Sequence, residues 1–169
     1  MKALKLRNHP GLWVALAWGL TLPATGAVFV QCPGDTNDNA QFDPGELAGD
    51  KNGNGVIDPG ENINAKCMHL SGGDGFVKMA DGYLQYIFGF SDLTGIPPAN
   101  AMSEGMLAAN FPAPTIALKQ GQEFYLTLTN SGMVNRPDLF DPHTVHFHGF
   151  PQAAPVFDGM PEGSVGINM

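Results

Sequence analysis

His146 and His148 are separated by a single residue in the run Asp141-Pro-His143-Thr-Val-His146-Phe-His148-Gly149-Phe-Pro151. On an extended strand, alternate side chains point to one side and lie ~7 Å apart along it, so the pair presents two imidazoles to a common face. Imidazole suits copper and zinc better than calcium or magnesium, and two such rings can serve two neighbouring ions. His143 stands an odd number of residues from both, which places it on the opposite side and outside the ligand set. By itself a His-x-His pair is weak evidence, because strand histidines that bind nothing are common.

A second set of residues suits a different ion. Two segments fifteen residues apart share one template, Asp35-Thr-Asn37-Asp-Asn39-Ala-Gln41-Phe-Asp43-Pro-Gly-Glu46 and Asp50-Lys-Asn52-Gly-Asn54-Gly-Val56-Ile-Asp58-Pro-Gly-Glu61. Calcium takes six to eight oxygens, and a twelve-residue loop supplies them from positions 1, 3 and 5, a backbone carbonyl at 7, position 9 and a two-oxygen Glu at 12. The candidate ligands are therefore Asp35, Asn37, Asn39, Gln41, Asp43 and Glu46, and Asp50, Asn52, Asn54, Val56, Asp58 and Glu61. Gly55 serves the turn of the second loop, whereas Ala40 replaces that glycine in the first, which should bind more weakly. Only three residues separate the loops, too few for EF-hand helices; the arrangement resembles the tandem calcium loops of dockerin or thrombospondin type 3 repeats. Phe42 and Ile57 occupy equivalent positions and are expected to pack together. The alternative is an acidic, turn-rich linker.

The elements that must position these residues are short. The chain has 169 residues, enough for one domain, with 22 Gly and 14 Pro, a composition of turns and strands. Lys2, Lys5 and Arg7 precede an apolar run from Gly11 to Leu22 and small residues at Ala24–Ala27, a secretory signal pattern over 1–27. The run is short for a span of ~20 residues, and an uncleaved anchor is the alternative. Either way the remainder is expected to be periplasmic, cell-surface or secreted, with no membrane span after cleavage. Without the signal, five basic residues face sixteen acidic ones, a net charge of −11 with histidines neutral. That field repels nucleic acid and anionic lipid and favours metal cations. Export lets Cys32 and Cys67 pair as a disulfide enclosing both loops; two free thiols or a two-sulfur metal half-site are the alternatives.

Residues 28–70 hold few large apolar side chains, so metal and disulfide would have to order them. Ser71-Gly72-Gly73-Asp74-Gly75 reads as a linker, and 76–169 as a second unit of short strands. Strands are expected over Tyr83–Phe90, Pro114–Leu118, Glu123–Asn130 and His143–Gly149, with a short helix around Ser103–Ala109. In Glu123–Asn130 the side chains of Phe124, Leu126 and Leu128 fall on one face, and those of Thr127 and Thr129 on the other. Val145 and Phe147 are expected to point inward.

The order Phe111-Pro-Ala-Pro-Thr-Ile116, Gly121, an alternating strand ending at Asn130, His146-Phe-His148-Gly149 and Asp158-Gly159-Met-Pro161 resembles the first cupredoxin domain of multicopper oxidases. The resemblance covers roughly Tyr83 to Pro161. The acidic segment ahead of it resembles those of large bacterial oxidases related to the manganese-oxidising ones. It implies a mainly β fold, part of a cupredoxin-like Greek-key sandwich behind the disulfide-closed calcium segment. It also implies that His146 holds the type 2 copper and His148 one of the paired type 3 coppers, with Asp158 assisting proton delivery to reduced oxygen. Phe147 replaces the family's Trp.

The family needs eight histidines from four such motifs, and a Cys and two His for the type 1 copper through which electrons enter. Here no cysteine follows Cys67, and the remaining histidines are His9, His69 and His143. The expectation is an N-terminal portion of an oxidase, incomplete as it stands, lacking the remaining cupredoxin domains, with O2 as the partner of the complete enzyme. About half of an eight-stranded sandwich would be missing, leaving open edges. Two other classes stay in view. One is a calcium-stabilised binding or adhesion module with inert histidines; the other is a mononuclear copper or zinc protein, which lacks a Cys ligand here.

Overall fold

The computed structural model describes residues 28–139 and 143–148. The expected signal segment 1–27 and Asp158 lie outside the described residues.

Three strands carry the fold: β1, Ala65–Lys78; β2, Leu84–Asp92; and β3, Glu123–Gly132. They form one mixed sheet in the order β2-β1-β3, with β1 antiparallel to β2 and parallel to β3. The described part is mainly β, as expected. A turn over Met79–Tyr83 joins β1 to β2, where the Met79 N–H donates to the Tyr83 carbonyl at 2.7 Å and the Tyr83 N–H to Asp81 Oδ1 at 2.9 Å. Between β2 and β3 lies a 3-10 turn, Pro98–Asn100, running into α1, Ala101–Gly105. No helix among the described residues is long and apolar enough to cross a membrane.

β2 and β3 lie where the sequence places strands, within two residues at each end. β1 does not, and it corrects the expected division of the chain. Residues 71–75, read as a linker, are the buried middle of the longest strand, and 65–70, assigned to the acidic segment, are its beginning. Turn composition gives way here because the glycines let neighbouring backbone approach: a Cβ on Gly75 would collide with the Ala109 carbonyl oxygen and lie 2.9 Å from the Ala109 nitrogen. Pro114–Leu118 pairs with no strand among the described residues, and the helix sits at Ala101–Gly105, two residues ahead of the expected start.

The acidic segment is docked on the sheet. Lys51 forms an ion pair with Glu123 Oε1 at 3.0 Å, the Gln31 N–H donates to Thr127 Oγ1 at 3.0 Å, and Asn62 Nδ2 to the Gly121 carbonyl at 3.3 Å. Cys32 and Cys67 are bonded, Cα to Cα 5.6 Å, which anchors this segment on β1. Val30, Cys32, Ala40 and Cys67 make a small core, with Val28, Phe42 and Tyr125 packed against it. Phe42 thus leans on the disulfide, while Ile57, its expected partner, stands outside that cluster.

The middle of the sheet buries polar groups. Asp74 is fully buried, and its Oδ2 accepts the Tyr86 hydroxyl at 2.7 Å and the Asn135 N–H at 2.8 Å. Burial and that carboxylate push the Tyr86 hydroxyl up to about 12. The Ser71 and Ser131 hydroxyls bond each other across β1 and β3. His69 is also fully buried, its Nε2 2.8 Å from Thr129 Oγ1. Desolvation lowers its pKa from the usual 6.5, against a smaller opposing pull from Asp92.

Folded His69 therefore stays neutral where the unfolded chain takes up a proton. Its contribution to stability is complete above pH 6.5 and is lost as the pH falls below it, at up to about 1.4 kcal/mol per pH unit. Urea unfolding at pH 7.5 and 5.5 should show this loss in the native chain and less of it in His69→Gln. Equal losses in the two proteins would contradict it.

Candidate metal centres

The two acidic loops share most of their hydrogen bonds. In the first, Asp35 accepts the Asn37 N–H on Oδ1 at 3.2 Å and the Ala40 N–H on Oδ2 at 2.6 Å. Asn37 Oδ1 then accepts the Asn39 N–H at 3.2 Å, and Asn39 Oδ1 the Gln41 N–H at 2.8 Å. Both asparagine Nδ2 atoms reach Asp43 Oδ2, at 2.9 and 3.1 Å. Glu46 closes the loop by accepting the Thr36 and Asp43 N–H groups, each at 2.8 Å.

Fifteen residues on, the Gly55 N–H donates to Asp50 Oδ2 at 2.7 Å, and the Asn54 N–H to Asn52 Oδ1 at 3.0 Å. The Val56 N–H donates to Asn54 Oδ1 at 2.8 Å, and Asn52 and Asn54 converge on Asp58 Oδ2 at 2.9 and 2.8 Å. Glu61 accepts the Lys51 and Asp58 N–H groups at 2.8 and 2.9 Å.

The repeat extends one residue further back than the ligand template. Gly34 and Gly49 precede Asp35 and Asp50 with φ of +92° and +82°, and a Cβ on either would run into the carbonyl oxygen of Leu47 or Asn62 respectively. Reading only oxygen donors misses them, although the fifteen-residue offset holds for both glycines. Ala40 takes the same left-handed turn as Gly55, with φ +64° against +80°. A side chain in that region costs roughly 1–2 kcal/mol, and here the methyl group is buried in the disulfide cluster.

Hydrogen bonds set the charge state of these carboxylates. Asp43 is held below its ordinary value by Asn37, Gln41 and Asn39, and Glu46 by the Thr36 hydroxyl and nearby N–H groups. The Gly55 N–H lowers Asp50, whereas burial raises Asp35 despite its N–H partners. Among the described residues no three or more His, Cys, Asp or Glu side chains are gathered so as to hold a metal ion. The loops offer mixed carboxylate, amide and main-chain oxygens, a hard donor set of the calcium kind.

The histidine segment lies on the sheet without joining it as a strand, since residues 143–147 form no ladder and His148 is in a turn. The His146 and His148 rings nevertheless meet, centroids 4.9 Å apart and nearly edge to face, and both residues are exposed. His143 is separate and half-buried, its ring 5.5 Å from that of Phe90. Val145 is half-buried, whereas Phe147, expected inward, is 43% exposed and touches Phe124 at a centroid distance of 6.4 Å. The structure thus brings together two imidazoles and, well apart in sequence, two sets of oxygens. No protein-family model, curated protein or solved structure matches this chain.

Proposed function

We propose that this chain is the copper-binding N-terminal portion of an exported multicopper oxidase, its acidic loops holding calcium. The observation that carries this reading is the approach of two exposed imidazoles on one short segment, centroids 4.9 Å apart. Copper shared between these rings and histidines from the remaining domains would couple one-electron oxidation of a substrate to reduction of O2 to water. His146 and His148 bind and orient metal, as type 2 and type 3 ligands. Asp158 belongs to the same proposal as a proton relay. The strands β1 to β3 are read as part of a Greek-key cupredoxin sandwich. The disulfide supports an oxidising compartment, periplasmic, cell-surface or extracellular.

Titration of the full chain with Cu(II), followed by electron paramagnetic resonance, tests it. Nitrogen-coordinated copper is expected in the native chain and lost in His146→Ala/His148→Ala; equal binding by the double variant would sink the copper reading.

A second reading, a calcium-stabilised extracellular module with inert histidines, is supported by the recurrence of one hydrogen-bond pattern in both loops. Reversing the Asn37, Asn39, Asn52 and Asn54 amides would turn oxygens towards Asp43 and Asp58 and complete each site. Calcium at about a hundred times its Kd would then stabilise the fold by about 2.7 kcal/mol, an effect abolished by chelator. A calcium heat in calorimetry with no copper heat favours this module over the oxidase.

A further inference from the structure

Among the described residues, 143–148 make no backbone ladder, and side chains tie the histidine segment to the sheet. The first anchor is Asn130, near the end of β3. His143 N–H donates to Asn130 Oδ1 at 2.7 Å, and Asn130 Nδ2 donates to the His143 carbonyl at 3.1 Å. One side chain thereby supplies the donor and acceptor that a strand residue presents to its antiparallel neighbour.

Asn130 is in register with Gly72 of β1, and Gly72 with Phe90 of β2. These three residues form one row across the sheet, and His143 sits on it. A Cβ on Gly72 would collide with the His143 Cβ and lie 2.8 Å from its Cγ, so only glycine leaves the seat open. Phe90 meets the His143 ring edge to face. The second anchor is Phe147, which sits between the two histidines in sequence, on Phe124. Only Thr144 and Val145 separate His143 from His146, which leaves little slack between seat and pair.

We propose that Asn130 is a positioning residue for the His146–His148 pair, acting through the main chain of His143 seated on the row Phe90–Gly72–Asn130. Its purpose rests on the copper reading, but its geometry can be tested without metal. In the full metal-free chain, a nuclear Overhauser contact between the two imidazole rings is expected in the native protein. It should be lost in Asn130→Ala and partly kept in Asn130→Asp, which retains the acceptor for His143 N–H. Cu(II) affinity should fall about tenfold in Asn130→Ala, in the range seen when outer partners of ligands are removed, with a change from two-nitrogen to one-nitrogen coupling in the copper spectrum.

Circular dichroism and amide exchange of β1 and β3 report whether the variant still folds. Should Asn130→Ala unfold, His143→Pro removes both the N–H and the ring that meets Phe90, while His143→Ala removes the ring alone; the loss of ring contact is expected in the proline variant and not in the alanine one. Rings that stay in contact in Asn130→Ala or His143→Pro, or that show no contact in the native chain, overturn the proposal. Native copper binding that ignores His146→Ala/His148→Ala sinks the copper reading instead, while the metal-free ring contact still decides the role of Asn130.

Discussion

Replacing Cys32 and Cys67 together by alanine should lower the unfolding free energy by about 4 kcal/mol, the loop-closure entropy of a cross-link of this span. The bridge joins residues 35 apart. Its sulfurs also lie within the core that Val30 and Ala40 share with Phe42 and Tyr125, so the loss goes beyond chain entropy. Beyond that core the acidic segment has scattered polar ties, to Thr127 and Glu123 of β3, to Gly121 and, through the Asn39 carbonyl, to Gly95. One of these, Lys51 to Glu123, joins solvent-exposed side chains, and such a pair adds little to stability. Amide exchange should therefore rise over 28–62 well before it rises in β1. Urea unfolding of the variant, and of the native chain under reductant, measures the effect. A shift below about 1 kcal/mol would show that the segment is held by something other than the bridge.

Gly75→Ala should cost about 1–3 kcal/mol, the usual penalty for overfilling a packed interior, and the upper part of that range is expected here. The atoms that a new methyl would meet belong to the Ala109 main chain, which cannot rotate aside as a side chain can. Gly89 on β2 supplies the control: a Cβ there would find the Asn110 oxygen at 3.4 Å and the Ala109 Cβ at 3.8 Å, ordinary contact distances. Gly89→Ala should change stability by less than about 0.5 kcal/mol. If both variants unfold at the same urea concentration as the native chain, the 71–75 stretch is not the packed centre of the sheet.

That contrast also explains what could be read from the sequence. β2 and β3 alternate large side chains at a period of two, so a local window suffices to find them. The acidic loops are legible for the same reason, their oxygens lying at fixed short spacings, and the expected pairing of the two cysteines is present. β1 fails the local test. Ser71, Gly72, Gly73 and Gly75 have the composition of a turn, and they form a strand because Ala109, Gly132 and His143 pack where side chains would otherwise be. Such information lies in partners distant along the chain. The Thr face of β3 was read as the polar side, yet Thr127 and Thr129 meet Gln31 and His69, and Tyr125 packs on the disulfide cluster. The histidine segment imitates a strand in its pattern, but its contacts with the sheet run through side chains, Asn130 on the His143 main chain and Phe147 on Phe124 among them. Pro114–Leu118 has the pattern and lacks a strand partner among the described residues.

Each acidic loop completes its own bonding between an opening glycine and the carbonyl it abuts, Gly34 with Leu47 and Gly49 with Asn62. The fifteen-residue stretch is thus a repeated cassette, distinguished from its twin by what it leans on: Ala40 on the disulfide and the Asn39 carbonyl on Gly95 in the first, Lys51 on β3 in the second. Related chains should therefore lengthen or shorten here in whole cassettes, and an insertion of any other size should scramble the interior of a loop.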